Sequence, residues 1–203
     1  MLRPRFVGSF PRADLPLDPP HPEIAFLGRS NVGKSSLLNA LVGRRVARVS
    51  GTPGKTRMLN VYEMTLPRAD RLPACYLLDL PGYGYARAGK ADRAAFRRLV
   101  RGTLDRPGLQ GVVWLLDIRH DPSADDRAMQ DLLARQGTRV LAALTKSDKL
   151  PRGQRLRREQ ALIEALGLDP DQAVATSART GEGIAELREA IGAFLEGGRA
   201  VQR

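Results

Sequence analysis

The sequence predicts an α/β fold of three layers, with helices on both faces of a mostly parallel six-stranded sheet. Two observations predict it. Six short apolar runs, at residues 23–27, 58–65, 74–78, 112–116, 140–145 and 173–176, read as strands, and helical patterns separate them after the third. Between the first run and the first helical pattern stands Gly28-Arg29-Ser30-Asn31-Val32-Gly33-Lys34-Ser35, which meets every position of the phosphate-loop pattern G-x-x-x-x-G-K-[ST]. Strand, glycine turn and helix start, in that order, place the chain with the P-loop NTPases.

The chemistry of the loop follows from its residue types. Its glycines let the backbone curl around an anion, so that successive N–H groups and the positive end of the helix dipole point at one phosphate. Lys34 is placed to reach the β- and γ-phosphates and the Ser35 hydroxyl to sit on Mg²⁺, with Ser36 opening the helix behind them. Such a loop calls for a nucleotide but names neither base nor reaction.

Composition narrows the class. At 203 residues the chain suits one well-cored domain, read here as residues 23–196 between an arm (1–22) and a frayed tail (197–203). The single cysteine, Cys75, leaves no disulfide framework and no zinc cluster, fits a reducing cytosol, and reads as a small core residue. No apolar run approaches the length of a membrane span, and the N-terminus lacks the apolar stretch of a secretory signal. The expectation is a soluble cytoplasmic protein with no membrane partner, monomeric because no dimer surface is visible. The net charge of +11 is uneven: residues 1–110 hold 19 Lys and Arg against 8 Asp and Glu, and the remainder is balanced. An excess of that size suits an anionic partner such as nucleic acid or a membrane surface.

Residues 1–22 hold six prolines, which remove N–H donors and block helix formation, so the arm is predicted to be extended. Residues 44–57 are rich in Gly, Thr and Arg with no apolar period, a long loop of the kind that tends to be functional. The strand at 74–78 delivers Asp79-Leu80-Pro81-Gly82, a D-x-x-G in which Asp79 is placed to hold a Mg²⁺-bound water and Gly82 to give its N–H to a γ-phosphate. Residues 90–106 are helical, with Phe96, Leu99, Val100 and Leu104 as an apolar stripe. Arg93, Arg97 and Arg101 recur on another face, with Lys90 and Arg98 beside them. A solvated face would look the same. The position after the phosphate sensor and the uneven charge favour an RNA-facing surface. Trp114, in a doubly covered strand, is predicted to be core, and His120 to be a hydrogen-bonded loop residue.

The last strands carry the base signal. Thr145-Lys146-Ser147-Asp148 matches the T/N-K-x-D pattern. The two acceptor oxygens of Asp148 match the N1–H and N2–H₂ donors of guanine, whereas adenine presents the opposite pattern there. The Lys146 stem can lie along the purine face. After Thr176, the stretch Ser177-Ala178 is where a backbone N–H can meet guanine O6. A helix at 152–166, with Leu156, Ile163 and Leu166 apolar, carries Arg152, Arg155, Arg157 and Arg158, and a helix at 183–195 closes the domain.

Residues 28–39, Gly54-Lys55-Thr56, Asp79-Leu-Pro-Gly-Tyr-Gly-Tyr-Ala86, Asp117-Ile-Arg-His120 and Leu144-Thr-Lys-Ser-Asp-Lys-Leu150 resemble the bacterial EngB-type GTP-binding proteins, small TRAFAC-class GTPases of large ribosomal subunit assembly. The resemblance implies that Thr56 is the switch threonine that closes on Mg²⁺ and γ-phosphate, with Gly54 in the same loop. Lys34, Thr56 and Gly82 then form the catalytic set, and Ser35, Thr56 and Asp79 the metal set. It implies Mg²⁺, GTP and GDP as ligands, K⁺ through Asn31, the large subunit's rRNA and proteins as partners, and a role in cell division and growth. Thr145 stands where many relatives outside the family have asparagine, a departure expected to remove a loop-bracing amide. Tyr83 stands where Ras-type proteins hold a water-orienting glutamine, so unassisted hydrolysis is expected to be slow. Two other functions fit the same motifs: a signalling switch with protein effectors, and a phosphotransferase acting on a small metabolite.

Overall fold

The computed structural model describes residues 4–47, 58–65, 74–84 and 89–197. Its seven strands are β1 (Arg5–Phe10), β2 (Glu23–Gly28), β3 (Leu59–Thr65), β4 (Ala74–Asp79), β5 (Leu109–Asp117), β6 (Val140–Thr145) and β7 (Ala173–Ala175). They form one sheet in the order β1-β3-β4-β2-β5-β6-β7. The pairings from β4 across to β7 are parallel, and β3 joins β1 and β4 antiparallel. Five helices follow: α1 (Lys34–Val42), α2 (Lys90–Leu104), α3 (Ala124–Arg135), α4 (Arg152–Leu166) and α5 (Ile184–Gly197).

Alternation along the central strands builds a core on each side. Ala25, Leu27, Val112, Trp114 and Leu116 face one layer, where Leu99 and Val100 of α2, Met129 and Leu133 of α3, and Leu162 and Leu166 of α4 cover them. Ile24, Phe26, Val113 and Leu115 face the other, under Leu37, Leu38 and Leu41 of α1 and Leu187, Ile191 and Leu195 of α5. The predicted three-layer architecture is therefore present. Trp114 is 1% exposed. Cys75 is wholly buried, and burial pushes its thiol up to about 12. Leu156, counted among the apolar residues of its helix, is exposed, and Leu162 packs in the core instead.

The sheet has one strand more than the six predicted. The additional strand, β1, lies in the proline-rich arm and pairs with β3, Phe10 against Leu59 and Arg5 against Glu63. Pro4 and Pro11 bracket it without interrupting its ladder. Farther along the arm, Arg106 donates to Ala13 O and Leu15 O while its guanidinium pairs with the buried Glu23, so the segment is tied to the end of α2.

All five parallel strands release their chains at one edge of the sheet. There β2 lies between β4 and β5, so Gly28, Asp79, Asp117 and Thr145 come together at the carboxyl ends, where open α/β sheets hold ligands.

Candidate nucleotide-binding site

The loop after β2 is shaped by what cannot fit there. A Cβ on Gly28 would stand 2.9 Å from Leu115 O and from Val32 Cγ1, so only glycine lets the strand end against β5. Asn31 (φ 65°) and Gly33 (φ 107°) then adopt left-handed conformations, which asparagine and glycine tolerate best, and the chain turns directly into α1. Gly33 offers no side-chain cap, and the first turn of α1 holds no acidic residue. The helix therefore presents its first amides and its positive dipole end without an internal anion.

The D-x-x-G segment is laid along this loop. Leu80 N–H donates to Phe26 O (3.2 Å), Tyr83 N–H to Gly28 O (3.2 Å) and Ser30 N–H to Tyr83 O (2.9 Å). A Cβ on Gly82 would stand 2.8 Å from the Ser30 backbone, so glycine is required by packing as well as by the ligand role proposed for it. Lys34 Nζ donates to Asp79 Oδ1, and Asn60 Nδ2 donates to Asp79 Oδ2 (3.3 Å). Thus the ammonium assigned to phosphate and the carboxylate assigned to the metal-bound water hold each other.

The donor set fits Mg²⁺. Among the described residues no cluster of three or more His, Cys, Asp or Glu is present. Mg²⁺ keeps several waters and takes one or two protein oxygens together with substrate phosphates, and Ser35 and Asp79 supply such oxygens beside the loop. Gly54 and Thr56 lie outside the described residues, as does the side chain of Lys90.

Tyr83 does not face this site. Its ring is buried, its O–H donates to Asp126 Oδ1 (2.8 Å), and its oxygen accepts the Trp114 indole N–H (2.7 Å). Burial first, and the charge of Asp126 with it, push the phenol above its ordinary range. Asp126 also accepts from Ser123 N–H (2.8 Å) and Ser123 Oγ–H (2.6 Å), completing the capping box of α3. The residue in the glutamine position is therefore a core anchor.

The base side is equally interlocked. Thr145 Oγ1 lies 2.7 Å from Val32 O and 3.1 Å from Leu116 O, so its hydroxyl supplies a brace to the phosphate loop where the absence of asparagine predicts a lost one. Lys146 adopts a left-handed conformation, and its Nζ donates to Asn31 O (2.7 Å) and pairs with Asp117 Oδ2 (3.0 Å). Burial opposes the charge on Asp117, but hydrogen bonds from Arg119 and Lys146 outweigh it and hold the carboxyl well below the usual range. Thr176 N–H donates to Leu144 O (2.8 Å) and its carbonyl accepts from Ser147 N–H (3.1 Å), fastening the two base loops together. Ser177 Oγ–H donates to Asp148 Oδ1 (2.8 Å) and Arg179 Nε–H to Oδ2 (2.8 Å). Burial opposes ionisation of Asp148, yet these donors and the charges of Arg179 and Lys149 keep its carboxyl below the ordinary range. Ser177 N–H is engaged by Glu182 O (2.9 Å), whereas Ala178 is exposed.

Glu182, Arg179 and Asn60 were not singled out by sequence pattern. Glu182 accepts from Ser147 Oγ–H (2.8 Å) and pairs with Arg155 (2.8 Å), so it steadies the turn that carries Asp148. A pocket of about 260 Å³ opens beside the phosphate loop, lined by Arg29, Asn31, Asp117, His120 and Lys146 among others. His120 is exposed there, with its backbone N–H on Asp117 O (3.1 Å).

Comparison with known proteins agrees with this arrangement. Residues 23–146 match the family described as 50S ribosome-binding GTPase. The chain is 51% identical to the probable GTP-binding protein EngB of Gemmatimonas aurantiaca over 172 residues, 84% of this chain and 81% of that protein. It is 46% identical to the probable GTP-binding protein EngB of Lacticaseibacillus casei, over 87% and 85%. Among solved structures, a probable GTP-binding protein EngB aligns with TM-score 0.64 at 20% identity, over 86% of this chain and 98% of that one. Era, solved with MgGDPNP and a segment of 16S ribosomal RNA, aligns with TM-score 0.67 at 22% identity, over 86% and 56%. With a phosphate loop, a guanine-type signature and relatives of this identity across most of its length, the chain belongs to the EngB family of GTP-binding proteins and is a GTPase.

Proposed function

We propose that the protein is a cytoplasmic, monomeric switch in assembly of the large ribosomal subunit, needed for normal growth and division. Mg²⁺·GTP is held by the phosphate loop, with Lys34 on the β- and γ-phosphates, Ser35, Thr56 and Asp79 around the metal, and Asp148 with Lys146 on guanine. The observation that carries the RNA partner is the outer face of α2. Arg93, Arg97, Arg98 and Arg101 are all exposed on it, at the start of the chain's return from the Gly82 sensor. A row of cations at that place can be presented or withdrawn as the sensor loop answers the γ-phosphate. No helix among the described residues is long and apolar enough to cross a membrane.

Hydrolysis is in-line attack of water on the γ-phosphate, with charge balanced by Lys34 and the amides of the loop and Gly82. Because Tyr83 is buried against Asp126, no side chain at its position orients that water. Intrinsic turnover is then within a decade or two of the ~10⁻⁴ s⁻¹ of unassisted Ras. The Asn31 side chain is the candidate K⁺ ligand, and hydrolysis is expected to be faster in K⁺ than in Na⁺ at matched ionic strength; equal rates would remove the ion from the mechanism.

Sedimentation with purified large subunits tests the main reading. With a non-hydrolysable GTP analogue the protein is expected to co-sediment, and with GDP to remain in the supernatant. Complex formation should fall steeply across a salt series, as phosphate contacts require. Binding that ignores the nucleotide would remove the switch, and binding that ignores salt would point to protein effectors. Phosphorylated metabolite in place of free phosphate would revive the phosphotransferase.

A further inference from the structure

Asp148 is occupied. Its side chain is only 6% exposed, with Ser177 Oγ–H on one oxygen and the Arg179 guanidinium on the other, while Lys149 Nζ lies 3.8 Å away. The two neighbours differ in kind. Ser177 is buried and its hydroxyl also accepts from the amides of Arg179 (3.3 Å) and Thr180 (3.2 Å), so it is part of the turn. The Arg179 side chain is 67% exposed, and among the described residues its guanidinium bonds to this carboxylate alone, so it can swing away without breaking the loop.

The chemistry of that contact resembles the ligand's. The guanine edge that meets a carboxylate, N1–H beside C2–NH₂, is itself a guanidine fragment. Arginine offers the same N–C–N donor geometry, already charged. From these contacts we infer that Arg179 is an internal stand-in for guanine: it competes for the Asp148 carboxylate and must leave before the base can be read. The inference rests on Asp148 being the base reader. Arg179 therefore governs how readily nucleotide enters, with little part in holding it once bound.

A latch of this kind lowers apparent affinity by the fraction of molecules that are open. For one exposed arginine on a carboxylate that fraction is about a quarter. Stopped-flow association of a fluorescent N-methylanthraniloyl-GDP with the full chain reads it directly. Arg179→Ala is expected to bind about three to five times faster, with dissociation changed by less than about twofold. Arg179→Lys, which keeps the charge but loses the planar guanidinium and its Nε–H, should fall between the two. An unchanged association rate in both variants, or faster dissociation of the alanine variant, overturns the latch; the second result would make Arg179 a contact of the bound base. Competition by inosine diphosphate in the unaltered protein separates the premise from the inference. Inosine lacks the 2-amino donors, so it should compete about tenfold or more weakly than GDP. Equal competition would overturn Asp148 as reader, whereas preserved GDP preference with unaltered Arg179→Ala kinetics would overturn the latch alone.

Discussion

Replacing Lys34 with alanine is expected to lower GTP affinity by at least about a hundredfold. In the proposed role the lysine makes charge-assisted hydrogen bonds to two phosphates, each worth roughly 1.5–3 kcal/mol, and each 1.4 kcal/mol is a factor of ten. The same substitution also acts on the fold. Lys34 and Asp79 are 10% and 4% exposed at their side chains, so the alanine variant leaves a buried carboxylate with Asn60 as its remaining side-chain donor among the described residues. Breaking such a pair costs about 3 kcal/mol at the low end of what is typical, a fall of roughly 6–12 °C in Tm for a chain of this size. Calorimetric titration with GTP and a thermal melt without nucleotide measure the two effects separately. Wild-type affinity in a folded variant would sink the phosphate-cradle assignment. Full affinity loss with an unchanged melt would mean that the Lys34–Asp79 pair does not support the fold.

Tyr83→Phe is expected to destabilise the fold by about 2–4 kcal/mol while leaving hydrolysis per folded molecule within about twofold. The removed oxygen is both a donor and an acceptor: without it the Trp114 indole N–H and Asp126 Oδ1 lose their partner inside the protein. Each unsatisfied buried group costs about 1–3 kcal/mol. Asp126 keeps both Ser123 donors on its other oxygen, which limits the damage to α3. A denaturant titration gives the stability change, and single-turnover phosphate release gives the rate. A tenfold slower reaction with unchanged stability would place the phenol in the reaction after all.

What was legible in the sequence was local. The phosphate loop and Thr145-Lys-Ser-Asp148 each encode backbone shape within eight residues or fewer, so spacing alone carries their geometry to the sheet's carboxyl edge. Strand β1 was hidden because its pairing lies at long range: Arg5 meets Glu63, and nothing between Pro4 and Pro11 announces that partner. The same holds for polar pairs. Lys34 with Asp79, Asp148 with Arg179 and Ser147 with Glu182 join residues 31 to 45 positions apart, which no periodicity reports. Thr145 shows a third limit: the pattern counts an amide as missing, while a hydroxyl 2.7 Å from Val32 O occupies the same structural role.

The bond between Trp114 and Tyr83 also has an optical meaning. The chain contains one tryptophan, so its tryptophan emission has a single origin. That indole is sealed from water, and its N–H is held by the residue immediately after Gly82. Any displacement of Gly82 that draws Tyr83 along changes the hydrogen bond at the chromophore itself. The protein thereby carries a built-in fluorophore wired to the segment proposed as its γ-phosphate sensor, and movement of that segment can be followed in real time without attaching a dye.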